Sequence, residues 1–172
     1  MAEALVIRRL VAADLRAYKA LRDRMLEAYP EAFTSDASTE RGRRADDYLP
    51  RLGLGRHEGG HFLLGAWHGA ELAGAIGLER DRRDKVRHIA HVIGMMVKPE
   101  AQGHGLGRAL LEAAVGEARA AGLELLTLSV TEGNEAALQL YEHAGFARYG
   151  TLRKALRIGD RYHAKILMAR EL

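Results

Sequence analysis

Leu15, Tyr18, Leu21, Met25 and Ala28 recur at the spacing of a helix that buries one stripe, and Pro30 closes it. Asp14 stands where a helix N-cap or first-turn acid belongs, and the run Ala4 to Leu10 before it has the composition of a strand. Glu31 to Thr39 is rich in turn residues, and a more polar helix is predicted from about Glu40 to Leu52, with Pro50 close to its end. Gly59 and Gly60 then break the chain. His61 to His68 and Glu71 to Glu79 read as a hairpin around Gly69, and Val86 to Val97 as a third strand ended by Pro99. Leu106, Ala109, Leu110, Ala113 and Ala114 mark a helix to Ala121, with Gly122 placed to cap it. Leu123 to Val130 has strand length. Ala137, Leu140, Tyr141 and Ala144 form one more helical stripe before Gly145, and two last strands flank the turn at Gly159-Asp160. The order βα(α)ββ-βα-βα-ββ implies a mixed α/β sheet with helices packed on it. No repeat, low-complexity tract or linker interrupts it, so residues 1–172 are expected to form one domain.

Composition narrows the class. Hydrophobic residues make up 48% and charged residues 28% of the 172, which excludes disorder for most of the chain. No apolar run approaches the ~18 residues of a bilayer span, so no membrane partner is expected. Met1 to Leu10 lacks the long apolar segment of a signal peptide. With no cysteine there is neither a disulfide framework nor a thiol nucleophile, and a cytoplasmic location is expected. Lys and Arg number 26 against 23 Asp and Glu, a net charge of +3. That mild excess, with 6% aromatic residues, does not argue for nucleic acid. The dense charges of Arg80 to Arg87 include Asp81 and Asp84 and read as a solvated hairpin tip.

The most informative stretch is Val97-Lys98-Pro99-Glu100-Ala101-Gln102-Gly103-His104-Gly105-Leu106-Gly107-Arg108. A strand enters a glycine-rich turn that opens into a helix. The first amides of a helix have no intrahelical partner and face the positive end of its dipole, so glycines there let an anion approach closely. A phosphate loop of the Walker type needs Lys followed by Ser or Thr, and Arg108-Ala109 stand instead. A dinucleotide fingerprint needs G-x-G-x-x-G, and the spacing here is G-x-G-x-G.

A second segment, Asn134 to Phe146, fits Asn-x-x-Ala-x-x-x-Tyr-x-x-x-Gly-Phe. Asn134 and Tyr141 are about two helical turns apart, on one face. Together the two segments resemble the GNAT superfamily, the GCN5-related N-acetyltransferases. Its loop pattern Gln/Arg-x-x-Gly-x-Gly/Ala is matched by Gln102, Gly105 and Gly107. The resemblance covers most of the chain, though the first 60 residues match only in outline. It implies a mostly antiparallel central sheet of six to seven strands with about four flanking helices. It implies acetyl-CoA as co-substrate, an amine acceptor and, as in many relatives, a homodimer. The backbone of Gly103, His104, Gly105, Leu106, Gly107 and Arg108 would hold the pyrophosphate. Met95, Met96 and Val97 would pair with the pantetheine amides, and Asn134 would bond the cofactor or simply cap its helix. Tyr141 would protonate the departing thiolate, or serve only as a core aromatic.

Acetyl transfer in the family is direct, in keeping with the absence of cysteine. The acceptor amine has a pKa of roughly 10 and must lose a proton to attack, so a base or a water relay to one helps. A backbone N–H near Met96 is a candidate donor to the thioester carbonyl. The histone-acetylating branch carries a glutamate eleven residues before the loop glutamine, where this chain has His91, an imidazole in the useful titration range. His91 is equally readable as a strand histidine bonded to backbone or water, and His88 and Glu79 are alternatives. The branch acetylating protein N-termini has a glutamate five residues before the asparagine, where Ser129 stands, which weighs against that acceptor. His88 and His91 face opposite ways in a regular strand, so no metal site is expected. Tyr29, Phe33, Asp36 and Glu40 are candidates to line an amine pocket, whose acids would favour a cationic acceptor; each also reads as part of a solvated turn. The rival to catalysis is an acyl-CoA-sensing module on the same fold.

Overall fold

In the computed structural model, which describes residues 4–172, seven runs pair into one sheet. The strands are β1 (Leu5–Arg9), β2 (Phe62–His68), β3 (Glu71–Arg80), β4 (Ile89–Val97), β5 (Leu125–Thr131), β6 (Ala147–Ile158) and β7 (Arg161–Glu171). Their order across the sheet is β1-β2-β3-β4-β5-β7-β6. Every neighbouring pair is antiparallel except β4 and β5. A parallel pair needs a long crossover, and helix α3 (Leu106–Ala120) supplies it. The other helices are α1 (Leu15–Ala28), α2 (Ala37–Arg41) and α4 (Glu135–His143), with a 3-10 segment at Ala45–Leu52. This is the mixed, mostly antiparallel sheet with flanking helices that the resemblance implied.

Both faces of the sheet are covered. One core joins α3 and α4 to the sheet through Leu110, Leu111, Ile76, Ala90, Leu126 and Met168. The other packs α1 and the 3-10 segment against it, with Tyr18 and Tyr48 in edge-to-face contact at 5.4 Å beside Leu63, Trp67 and Met96. Strands buried on both faces read as nearly continuous apolar runs, which is why Phe62 to Trp67 and Leu72 to Leu78 show no clean alternation.

The alternation in β4 is broken by a bulge. Ala90 and Val92 face the α3–α4 core, so a regular strand would send Met96 there and turn Met95 and Val97 away. The reverse is found: Met95 and Val97 pack on the α3–α4 core and Met96 on the α1 core. The pairing shows the cause, because Gly77 stands opposite Ile93 while Ala75 stands opposite Met96. Gly94, at φ +57°, takes the left-handed conformation that such a bulge needs and that other residues resist.

Several predicted boundaries move. The single helix from Glu40 to Leu52 does not form. Asp36 starts α2 earlier by accepting the Thr39 N–H at 2.9 Å, α2 stops at Gly42, and the segment containing Pro50 winds as 3-10 instead. Strand β4 begins at Ile89 rather than Val86, because Asp84–Val86 is a short 3-10 turn. Asp14 does stand at the N-cap of α1, though its side chain looks backward to the Val11 N–H at 2.8 Å and the Arg8 guanidinium rather than bonding the amides of α1. In α4 the deepest residues are Leu138 and Tyr141, so the buried stripe is wider than Ala137, Leu140, Tyr141 and Ala144 alone.

Candidate active site

The glycine turn is held from its start by Gln102, whose Nε2 donates to the Val97 carbonyl at 3.0 Å. Gly103 and Gly105 both lie at φ +78°, and a Cβ built on either meets no atom within 4 Å. The turn is therefore an open concavity. Gly105 is the N-cap of α3, and the first bond of that helix runs from the Ala109 N–H to the Gly105 carbonyl at 3.0 Å. The amides of Leu106, Gly107 and Arg108 come before it and have no partner inside the helix. A Cβ on Gly107 would stand 3.2 Å from the Met95 methyl, so the first turn of α3 lies close against the end of β4. The Arg108 side chain rests on Glu112 at 2.8 Å. His104 lines a separate depression beside Glu71 and Lys98 and is not among the residues lining the cleft at the turn.

The turn opens into a wedge in the sheet. β4 and β5 pair only from Ile89–Leu125 to His91–Thr127 and then part. Past that point Met96 and Val97 keep their pairing to β3, opposite Ala75 and Gly74, while Met95 falls in the bulge, and among the described strands none pairs with the three on the β5 side. Their free backbone groups form an unpaired edge within the sheet, which an extended amide-bearing ligand can join as a strand would. A cleft of about 490 Å³ runs from the glycine turn along this edge, roofed by Met25, Tyr29 and Phe33 of the α1 region. A smaller space of about 150 Å³ continues between the diverging strands, past Gly94 and Ser129 to Tyr141.

Tyr141 is 6% exposed and meets Phe146 edge to face at 5.7 Å. Burial pushes its hydroxyl far above the ordinary tyrosine value, so it stays protonated at any physiological pH. Asn134 caps α4, accepting the Ala137 N–H at 3.2 Å, and lines both the cleft and the space beyond it. The cap and the ligand-facing position thus coexist in one residue.

His91 sits elsewhere. It is exposed at the closed end of the wedge, on the face opposite the α3–α4 core, with its Nδ1 against the Thr127 hydroxyl. It precedes Gly94 by three residues, roughly 10 Å along a strand, so it can serve the centre of the wedge only through water. Glu79 lies across from it on β3, and His88 lies before β4 begins.

The acids proposed for the acceptor pocket are engaged in structure. Glu40 is 3% exposed and accepts from Arg22 Nε at 2.8 Å and from the Tyr48 hydroxyl. Asp36 caps α2 and holds Ser38 and Thr39. These bonds keep the Asp36 carboxyl well below the usual carboxylate range. The expectation that acids there favour a cationic acceptor therefore fails for these two, while Tyr29 and Phe33 do line the cleft. Sequence reading missed Gly94, although a lone glycine inside a strand pattern is a bulge signal. It also missed Arg51, whose Nη1 donates to the Tyr18 hydroxyl at 3.0 Å beside that bulge.

An open glycine turn followed by unpartnered amides, feeding a wedge with an unpaired strand edge, is a shape able to take an extended phosphate-bearing ligand. The pattern of the acetyltransferase (GNAT) family matches residues 18–146, and the chain belongs to that family. It is 32% identical to the mycothiol acetyltransferase of Geodermatophilus obscurus over 137 residues, 79% of this chain and 42% of that one. It is 38% identical to N-alpha-acetyltransferase RimI of Mycobacterium tuberculosis over 99 residues, 57% of this chain and 60% of that protein. The chain thus spans about two fifths of the length of the mycothiol acetyltransferase it matches. A GNAT acetyltransferase from Streptococcus pneumoniae superposes with TM-score 0.84 at 26% identity, covering 98% of this chain and 99% of that one. The fold of yncA from Salmonella typhimurium, solved with acetyl-CoA, matches with TM-score 0.83 at 22% identity over 98% and 94% of the two chains. GNAT acetyltransferases use acetyl-CoA. No described helix is long and apolar enough to cross a membrane.

Proposed function

We propose that residues 1–172 act as one N-acetyltransferase domain that moves acetyl from acetyl-CoA directly to the primary amine of a small-molecule acceptor. The observation that carries this reading is the continuity of the open glycine turn with the wedge that ends at Tyr141. The residues present fit coenzyme A: glycines at positions 103 and 105 leave room where a Cβ would intrude, and three unpartnered amides follow. When bound, acetyl-CoA supplies the acetyl thioester, whose C–S bond breaks as the acceptor nitrogen forms its N–C bond.

The chain's own groups do the rest. Gly103 to Arg108 bind the pyrophosphate through backbone amides. Met95 to Val97 and Asn134 orient the pantetheine arm. The bulge at Gly94 frees backbone near Met96 to donate toward the thioester carbonyl. Tyr141, at the end of the wedge and protonated before reaction, gives its proton to the leaving sulfur. His91 takes the acceptor ammonium proton through water. A cytoplasmic location follows from the use of acetyl-CoA, and a homodimer is compatible with the fold.

The test is acetyl-CoA turnover across amine classes, with Tyr141→Phe and Gly105→Glu beside the wild type. Turnover of Tyr141→Phe should fall about a hundredfold with coenzyme A affinity held, whereas Gly105→Glu should lose affinity. Coenzyme A binding with no turnover of any amine would favour the sensing module instead.

A further inference from the structure

Sheet alternation sorts the side chains around the wedge. Ile166 and Met168 of β7 face the α3–α4 core, so Lys165 and Leu167 face the other side, where the acceptor must enter. Lys165 stands opposite Thr131 of β5, which lines the wedge. Its ammonium donates to the Thr34 hydroxyl, next to the cleft-roofing Phe33. On the opposite wall Arg51 reaches over the β4 bulge, with Nη1 4.0 Å from where a Cβ on Gly94 would be. It is held there by Tyr18 Oη at 3.0 Å and by the Tyr48 ring at 5.3 Å.

Both cations are partly buried, and among the described residues neither forms a salt bridge to a carboxylate. Other cations near this face are paired, as Arg22 is with Glu40 and Arg24 with Glu100. Two acids lie on the same rim: Glu31, 4.0 Å from His163 Nε2, and Glu132, whose backbone N–H donates to the Ala164 carbonyl at 2.9 Å, and neither forms a salt bridge with Lys165 or Arg51. Burial lowers the proton affinity of Lys165 below that of an ordinary lysine. A desolvated cation without a counter-charge is costly, and an anion brought by the substrate would complete it. The wedge mouth thus offers two cations that no carboxylate of the described residues neutralises, which suits an anionic group on the acceptor better than a polyamine.

We propose that the acceptor is a small amine that also carries a carboxylate, an amino-acid-like compound whose carboxylate is recognised by Arg51 and Lys165. This rests on the transferase reading and extends it to the class of acceptor.

The experiment compares amino acids with their decarboxylated amines, with spermidine as a polycationic arm. The expected result is a kcat/KM ratio favouring the carboxylated amine by about tenfold or more, as for a charge-assisted bond. That ratio should collapse toward one in Arg51→Met and in Lys165→Met, chiefly through KM, and recover in Arg51→Lys. A ratio of one in the wild type, preference for spermidine, or a ratio unmoved by both substitutions overturns the proposal. Thermal-shift titration of the same pairs onto coenzyme A-saturated protein reads the acceptor site without chemistry. If nothing turns over yet the shift still requires the carboxylate and both cations, the acceptor site stands and the transferase reading falls. Turnover indifferent to the carboxylate leaves the transferase reading standing and removes the acceptor class.

Discussion

Replacing Gly94 with alanine tests the bulge at the centre of the wedge. Its φ of +57° is unfavourable for any residue with a Cβ, by about 1–2 kcal/mol. The added Cβ would also stand 3.3 Å from the Tyr18 hydroxyl, and Tyr18 is fully buried, so the ring has little room to withdraw. At roughly 2–4 °C per kcal/mol for a chain of this size, the melting temperature should drop by about 2–8 °C. The chain can escape the strain only by straightening β4, and a straight strand sends Met95 and Val97 to the opposite face. Either response displaces the edge proposed to orient the pantetheine arm, and a misplacement of this kind costs on the order of a hundredfold in rate. Differential scanning fluorimetry and coenzyme A release measure the two effects on one preparation. If Gly94→Ala matches the wild type in both melting temperature and kcat/KM, the bulge neither stores the backbone constraint nor positions the site.

The same substitution should have the opposite sign at Gly116, which lies within α3 with open space around its Cβ position: Gly116→Ala should raise stability by about 0.5–1 kcal/mol, read in urea melts. Burial alone would raise the Glu40 carboxyl, but the bonds from Tyr48 and Arg22 outweigh it and hold the group below its ordinary range. Its contribution to stability is therefore complete above the unfolded value of about 4.3 and is lost as pH falls through the lower folded value. Melting temperature against pH should show this acid loss in the wild type and a smaller one in Glu40→Gln, which should itself cost about 3 kcal/mol at neutral pH by leaving Arg22 buried without its counter-charge. Burial and the bond to Glu40 push the Tyr48 hydroxyl up to about 12, so its share of stability persists below the unfolded tyrosine value of about 10 and disappears as pH rises through 12.

The features legible in the sequence are those carried by local periodicity and local chemistry. The stripe from Leu15 to Ala28 is a helix because its apolar positions alone specify a buried face, and the turn at Gly103 and Gly105 is visible because only glycine takes φ +78° without strain. The wedge is invisible at that level, since β4 and β5 part after His91 and Thr127 only as a result of pairing between segments far apart in the chain. Glu40 looks like a solvated helix acid until Arg22, eighteen residues earlier, folds onto it. Arg51 and Lys165 are unremarkable surface cations in the sequence, and that neither has a carboxylate partner among the described residues is visible only in three dimensions. The polar helix from Glu40 to Leu52 failed where Gly42 and Pro50 outweighed a weak stripe.

Why the anion turn and the wedge adjoin follows from one topological fact. Among the described strands β4 and β5 are the single parallel pair in an otherwise antiparallel sheet, so the chain must leave the end of β4, cross over and return to the start of β5. The crossover helix α3 therefore begins at the carboxyl end of β4, and its unpartnered amides lie there of necessity. The partner of β5 on its far side, β7, runs antiparallel and pairs with it from Leu125 to Thr131, so β5 is held along its whole length by a neighbour other than β4. β4 keeps β3 on both sides of its bulge, at Ile93 before it and at Met96 and Val97 beyond it. Each strand thus keeps a neighbour on its outer side after the two separate, and the opening lies between their facing edges. Those two edges, together with the helix start above them, are the polar groups that an extended amide chain ending in a pyrophosphate can satisfy, and the bulge at Gly94 decides which side chains line its path.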